Sequence, residues 1–186
     1  MKKITLILFV FSWFFICSHF AFTKWFACNN FKLWADDKLE EAGRPVEVVN
    51  EVNGAHSNIT EREYQRILNQ DDLDKLWQRH TDKIEDMPLV DFNADMVVAI
   101  FLGKGMNSAG IGGTRIRETD DALYFYFRSW AYQTAGPDGG GVEVEPFGFF
   151  VIPRSNKKLI LEQDIRNRIT GGPEKWKVVK EFEAIS

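Results

Sequence analysis

Hydrophobic and polar positions change period several times along this chain, and each change marks an element. From Met96 to Leu102 no residue is polar on either parity, so a strand here is covered on both faces and predicts a central strand rather than an edge. Upstream, Val46, Val48 and Val52 alternate with Glu47 and Glu51 as in a half-buried strand, Asn53-Gly54 signals a turn, and residues 63–68 predict a second short strand. A helix is predicted over 71–82. Asp71 can cap it, Asp72 and Asp74 suit its positive end, and Leu73, Leu76, Trp77 and His80 recur at i, i+3, i+4 and i+7 as one apolar stripe. Pro88 lies beyond its end.

After the central run, Gly103 to Gly110 reads as a flexible loop leading into a strand over 111–118 that contains Gly112-Gly113. Ile111 and Ile116 have opposite parity on a regular strand, and one extra residue at the glycine pair brings them to the same face, which predicts a bulge. Thr119-Asp120-Asp121 connects to a strand over 122–132. On it Leu123, Phe125 and Phe127 share one parity and form the core face, while Tyr124, Tyr126, Arg128, Trp130 and Tyr132 share the other. The glycine-rich stretch 134–141 is a loop; a strand over 142–153 must hold Pro146 at an edge or a bulge; residues 159–162 and 176–182 are two further strands. These strand-like runs and one amphipathic helix predict an α+β domain, a mainly antiparallel twisted β-sheet with the helix packed on one face.

The N-terminus does not belong to that domain. After Lys2 and Lys3, residues 4–22 carry no formal charge, and as a helix these 19 residues would rise roughly 28 Å, close to the hydrocarbon thickness of a bilayer. Residues 1–23 are therefore a signal peptide or an N-terminal membrane anchor, residues 24–45 a linker, and 46–186 the domain. Cleavage would rest on Ala21 and Thr23 or on Ile16 and Ser18, neither a clean small-x-small pattern, and the residues before Cys17 and Cys28 lack the pattern of a lipidation signal. Either way the domain is expected outside the cytoplasm, in the periplasm, secreted, or on the outer face of the membrane, touching the bilayer through the N-terminal segment alone. In the linker, Trp25, Phe26, Phe31 and Trp34 fit a membrane interface or loose packing on the domain.

Both cysteines lie in or just after the hydrophobic segment, so the domain has no thiol for a disulfide, a thiolate metal site or a nucleophile. With Lys2 and Lys3 set aside, 21 basic residues face 27 acidic ones, a formal charge of −6 that argues against non-specific nucleic-acid binding. The glycines at 103, 105, 110, 112 and 113 lead into a strand rather than a helix, so they are turn and bulge glycines and not a phosphate cradle. Only His56 and His80 remain beyond the N-terminal segment, without a metal-ligand spacing, and His80 reads as a helix-surface residue. Ser57, Ser108, Ser129 and Ser155 have no identifiable base, and the carboxylate pairs Glu143/Glu145 and Asp91/Asp95 read as solvated charges. No cofactor is expected.

The face bearing Tyr124, Tyr126, Arg128, Trp130 and Tyr132, with Gly112 and Gly113 nearby, has the composition of a protein-contact patch. The competing reading is that the helix covers it.

The chain also resembles the C-terminal domain of the protease complex subunit PrcB family over residues 91–154. The likeness lies in the order and spacing of Val90-Asp91-Phe92, Phe101-Leu102-Gly103, Gly112-Gly113-Thr114-Arg115-Ile116 and the run from Pro146 to Arg154, preceded by the Trp77 helix. The resemblance implies an exported, non-catalytic subunit that stabilises a secreted protease or another cell-envelope complex, and it implies no catalytic residues. The glycine-rich 136–141 segment and the missing lipidation signal depart from the family pattern. The expected function is thus a binding or accessory module, with a protease inhibitor presenting glycine-rich loops, or an exported hydrolase without a recognisable motif, as the alternatives.

Overall fold

The computed structural model describes residues 43–134, 140–166 and 172–186. The segment read as a signal peptide or anchor, nearly all of the linker and most of the 136–141 loop lie outside the described residues. Among the described residues no helix is long and apolar enough to cross a membrane.

Gly43–Ser186 forms one compact unit of three layers. Its elements, in chain order, are β1 (Arg44–Val46), β2 (Asn50–Gly54), β3 (Arg62–Ile67), α1 (Gln70–His80), β4 (Asp95–Leu102), β5 (Gly105–Met106), β6 (Ser108–Glu118), β7 (Ala122–Ala131), β8 (Glu143–Val144), β9 (Phe147–Pro153), β10 (Lys158–Asp164) and β11 (Trp176–Phe182), with a 3-10 turn at Ile84–Asp86. The strands form a four-stranded sheet in the order β2-β9-β4-β3, a five-stranded sheet in the order β1-β6-β7-β10-β11, and a small β5-β8 ribbon. The four-stranded sheet is the middle layer. Pairing is antiparallel throughout except between β7 and β10, which run parallel. The α+β class is as expected.

The apolar run that organises the sequence becomes β4, an interior strand whose two faces serve two cores. Met96, Val98 and Ile100 point between the sheets, where they meet Ile111, Ile116, Phe125, Phe127, Phe150 and Leu161. Val97, Ala99 and Phe101 point the other way, onto Leu73, Leu76 and Trp77 of α1. Every residue from Met96 to Phe101 is fully buried, which explains why no polar side chain is tolerated there.

The predicted bulge lies at the glycine pair. The register of β6 against β7 shifts between Gly112 and Arg115, and Ile111 and Ile116 both enter the inter-sheet core. The helix stripe is also as predicted, but the cap is Asn69 rather than Asp71, two residues earlier: its side chain accepts from the Asp72 N–H at 2.9 Å.

Several strand boundaries differ from the pattern, and the 103–110 stretch read as a flexible loop holds β5 and the first three residues of β6. The stretch around 46–52 is two strands, because the chain crosses at 47–49 from the five-stranded sheet to the four-stranded one. Arg44 and Pro45, read as linker, pair with Glu118 and Arg117. Residues 142–153 are interrupted at Glu145-Pro146, where a residue without an N–H ends the β8 pairing before β9 begins. The division of the strands into two facing sheets was not visible in the pattern, since alternation states that a face is covered but not by what.

Candidate partner-binding face

The outer face of the five-stranded sheet is built by β6, β7, β10 and β11. Leu123, Phe125 and Phe127 turn inward, so the opposite parity of β7 necessarily turns outward. The helix lies on the other side of the molecule, against the four-stranded sheet. It therefore covers none of this face. Tyr124, Tyr126 and Arg128 are half-buried by their neighbours, and Trp130 and Tyr132 are 56% and 42% exposed. Tyr132 falls just past the end of β7, where its backbone N–H donates to the carbonyl of Asn107 at 2.9 Å.

Adjacent strands supply side chains that sequence reasoning did not select. The rings of Tyr124 and Tyr126 stack with centroids 6.3 Å apart, and Trp176 of β11 meets Tyr126 edge-on at 5.2 Å. The Arg115 guanidinium sits 5.0 Å from the Tyr126 ring and 5.3 Å from the Trp176 ring, a cation held between two aromatic faces. Glu174 approaches Arg115 at 3.8 Å. Arg115 could have been found from the alternation of Arg115 and Arg117 with Ile116, whereas Trp176 reaches the site only through the parallel β7-β10 pairing.

Gly112 and Gly113 have a direct role on this face. A Cβ at Gly112 would fall 1.3 Å from Trp130 Nε1, and one at Gly113 would fall 2.5 Å from Arg128 Nε. The two bare backbones are thus seats on β6 for two side chains of β7. Gly113 also has φ +59°, the left-handed conformation that the bulge requires and that a side chain disfavours. All seven residues selected from the sequence lie on or at the end of the β6-β7 pair.

A concavity of about 430 Å³ opens at the C-terminal end of α1 and is lined by His56, Ser57, Trp77, His80, Lys83 and Glu145 among others. Here two expectations are corrected. His80 is not on the helix surface: it is 3% exposed, with its ring 4.0 Å from that of Phe147. It falls on the stripe facing the four-stranded sheet, and the aromatic residues of β4 and β9 close over it. Ser57 does have a basic partner, since its Oγ lies 2.8 Å from His80 Nδ1, while it also accepts from the Ile59 N–H at 3.0 Å.

Burial lowers the His80 pKa to about 4, so the ring is neutral at neutral pH. Among the described residues no carboxylate bonds its other nitrogen. A base that cannot hold a proton and has no orienting acid is a poor partner for a nucleophilic serine. The pair instead fastens the loop before β3 to the helix end, as does the Asn58 N–H donating to the His80 carbonyl at 2.9 Å.

The carboxylates read as solvated charges are dispersed. Glu143 faces Lys104 at 3.7 Å, Glu145 faces His56 at 3.8 Å, and Asp91 accepts from the Asn93 N–H in a turn. Among the described residues no group of three or more His, Cys, Asp or Glu side chains is arranged to hold a metal ion. No protein-family model, curated protein or solved structure matches the chain.

Proposed function

We propose that this protein is a non-catalytic binding module that works outside the cytoplasm, as an accessory subunit of a secreted protease or another cell-envelope complex. The observation that carries the reading is the outer face of the five-stranded sheet, which no helix covers among the described residues and where Tyr124, Tyr126, Trp130 and Trp176 stand beside Arg115 and Arg128. Tyr, Trp and Arg are the side chains that dominate protein interfaces, because each buries a broad apolar body while a polar tip stays bonded. The Lys2-Lys3 start before an uncharged apolar segment supports the address, and the resemblance to the PrcB family supports the accessory role. A hydrolase built on Ser57 and His80 is the weaker reading, for lack of an acid on the histidine.

Immobilised full-length protein incubated with solubilised cell-envelope proteins should retain a discrete partner, and a Trp130→Ala variant that melts like the parent should retain much less of it. Equal retention by parent and variant would remove this face from the function. Hydrolysis of peptide, ester or glycoside substrates that is lost in Ser57→Ala would replace the module with an enzyme.

A further inference from the structure

We propose that the partner of this face is an acidic polypeptide segment bound in extended form along β7, with Arg128 taking a carboxylate and the Trp130 indole covering the side chain beside it. This rests on the binding-module reading above and adds the chemistry of the partner. Residues 43–186 hold 18 Lys or Arg and 23 Asp or Glu, a net charge of −5. Positive charge is concentrated on two strands of this face, with Glu162 of β10 flanking them in register with Tyr126. Along β6 and β7, Arg115, Arg117 and Arg128 are interleaved with Tyr124, Tyr126 and Trp130, and the one carboxylate on the two strands, Glu118, is bonded to Arg44 and to Lys157 at 3.1 Å. A basic aromatic strip on an otherwise acidic domain is complementary to a short acidic segment. A long polyanion would also meet the surrounding negative surface.

Arg115 already has Glu174 within 3.8 Å. The Arg128 guanidinium lies half-buried over Gly113 and has neither a hydrogen bond nor an ion pair among the described residues. Beside it the indole rests over Gly112. Two side chains seated flat on bare backbone lose less freedom when a ligand arrives, which is how preorganisation raises affinity. The face is long rather than concave. From Tyr124 to Trp130 the strand advances about 20 Å, at roughly 3.3 Å per residue, which matches about six residues of extended chain and exceeds a small anion.

The test uses fluorescence anisotropy of purified full-length protein with three labelled probes: a short peptide of alternating Glu and Leu, its Gln and Leu counterpart, and an oligothymidylate. The acidic peptide should bind, weaken with added salt, and exceed its amide counterpart by roughly 10-fold or more, since charge-assisted pairing is lost with the carboxylate. Arg128→Gln should remove roughly 10-fold of the affinity, Gly112→Ala should do the same by displacing the indole, and Lys75→Gln on the helix should do neither. Equal binding of the two peptides, no binding of the acidic one, an undiminished Arg128→Gln variant, or tighter binding of the oligonucleotide would each overturn the proposal. If Trp130→Ala abolishes retention of an envelope partner while Arg128→Gln does not, the acidic-segment inference falls and the binding module stands.

Discussion

His80 Nδ1 stands 2.8 Å from Ser57 Oγ, and this single bond ties the end of the helix to the loop ahead of β3 while the ring is closed in by Phe147, Phe149 and Trp77. Unfolded, the imidazole titrates near 6.5; folded, burial holds it at about 4. Between those values the unfolded chain takes up a proton that the folded chain refuses. Stability from this group is therefore complete above pH 6.5 and falls by up to about 1.4 kcal/mol per pH unit on acidification towards pH 4. Urea unfolding from pH 7 to 4.5 should show a steeper loss in the parent than in His80→Gln. Parallel curves would mean that the ring is not buried neutral.

Two tryptophans on opposite sides of the molecule should respond oppositely to truncation. Trp77 is 2% exposed, fills the core between α1 and the four-stranded sheet, and donates its Nε1–H to the Lys83 carbonyl at 2.9 Å. Trp77→Ala should cost about 3–5 kcal/mol. Trp130→Ala, on the open face, should stay within about 1 kcal/mol of the parent, measured by thermal or urea unfolding. A large loss at Trp130 would make it a structural residue rather than a contact residue.

Arg66 of β3 joins distant segments without any carboxylate. Its guanidinium donates to the carbonyl of Ser155, to that of Lys157 at 3.0 Å and to that of Glu183 at 3.3 Å, so it links the four-stranded sheet to the β9-β10 connection and to the chain beyond β11. Arg66→Met should cost about 2–3 kcal/mol, because the carbonyls are left without their charged donor. Arg66→Lys should recover little of it, since a single ammonium cannot reproduce the fork. Full recovery by lysine would contradict the geometry.

Asp164 closes the β10-β11 connection from a buried position. Burial by itself would raise its pKa, but the backbone N–H groups of Arg166 and Lys175 and the Arg166 guanidinium at 2.6 Å outweigh that and hold it below the ordinary value of 3.8. A depressed carboxyl stabilises above its unfolded pKa and loses that contribution as the pH falls through the folded one. Asp164→Asn should lower stability by about 2 kcal/mol at pH 7, and the gap to the parent should narrow below pH 3.8. A gap independent of pH would show that the charge is not what the amide loses.

Much of the architecture was legible because side-chain parity is a local consequence of backbone geometry. The unbroken run from Met96 to Leu102 stated that β4 is covered on both faces, the mismatch of Ile111 and Ile116 stated that β6 carries an extra residue, and the spacing of Leu73, Leu76 and Trp77 stated the helix and its buried side. Parity also separated the inward Phe125 and Phe127 from the outward Tyr124, Tyr126, Arg128 and Trp130. What it could not state is which surface meets which. Only the tertiary structure decided that the strands divide into two facing sheets, that the helix covers the sheet away from Trp130, and that Trp176 arrives beside Tyr126 through a parallel neighbour. The same holds for His80, whose place on the stripe was visible but whose contacts with Phe147 and Phe149 and bond to Ser57 depend on residues 23 positions and more away in sequence. Local periodicity is set by bond geometry within a few residues, whereas these contacts arise from long-range packing, and the sequence pattern carries no direct record of it.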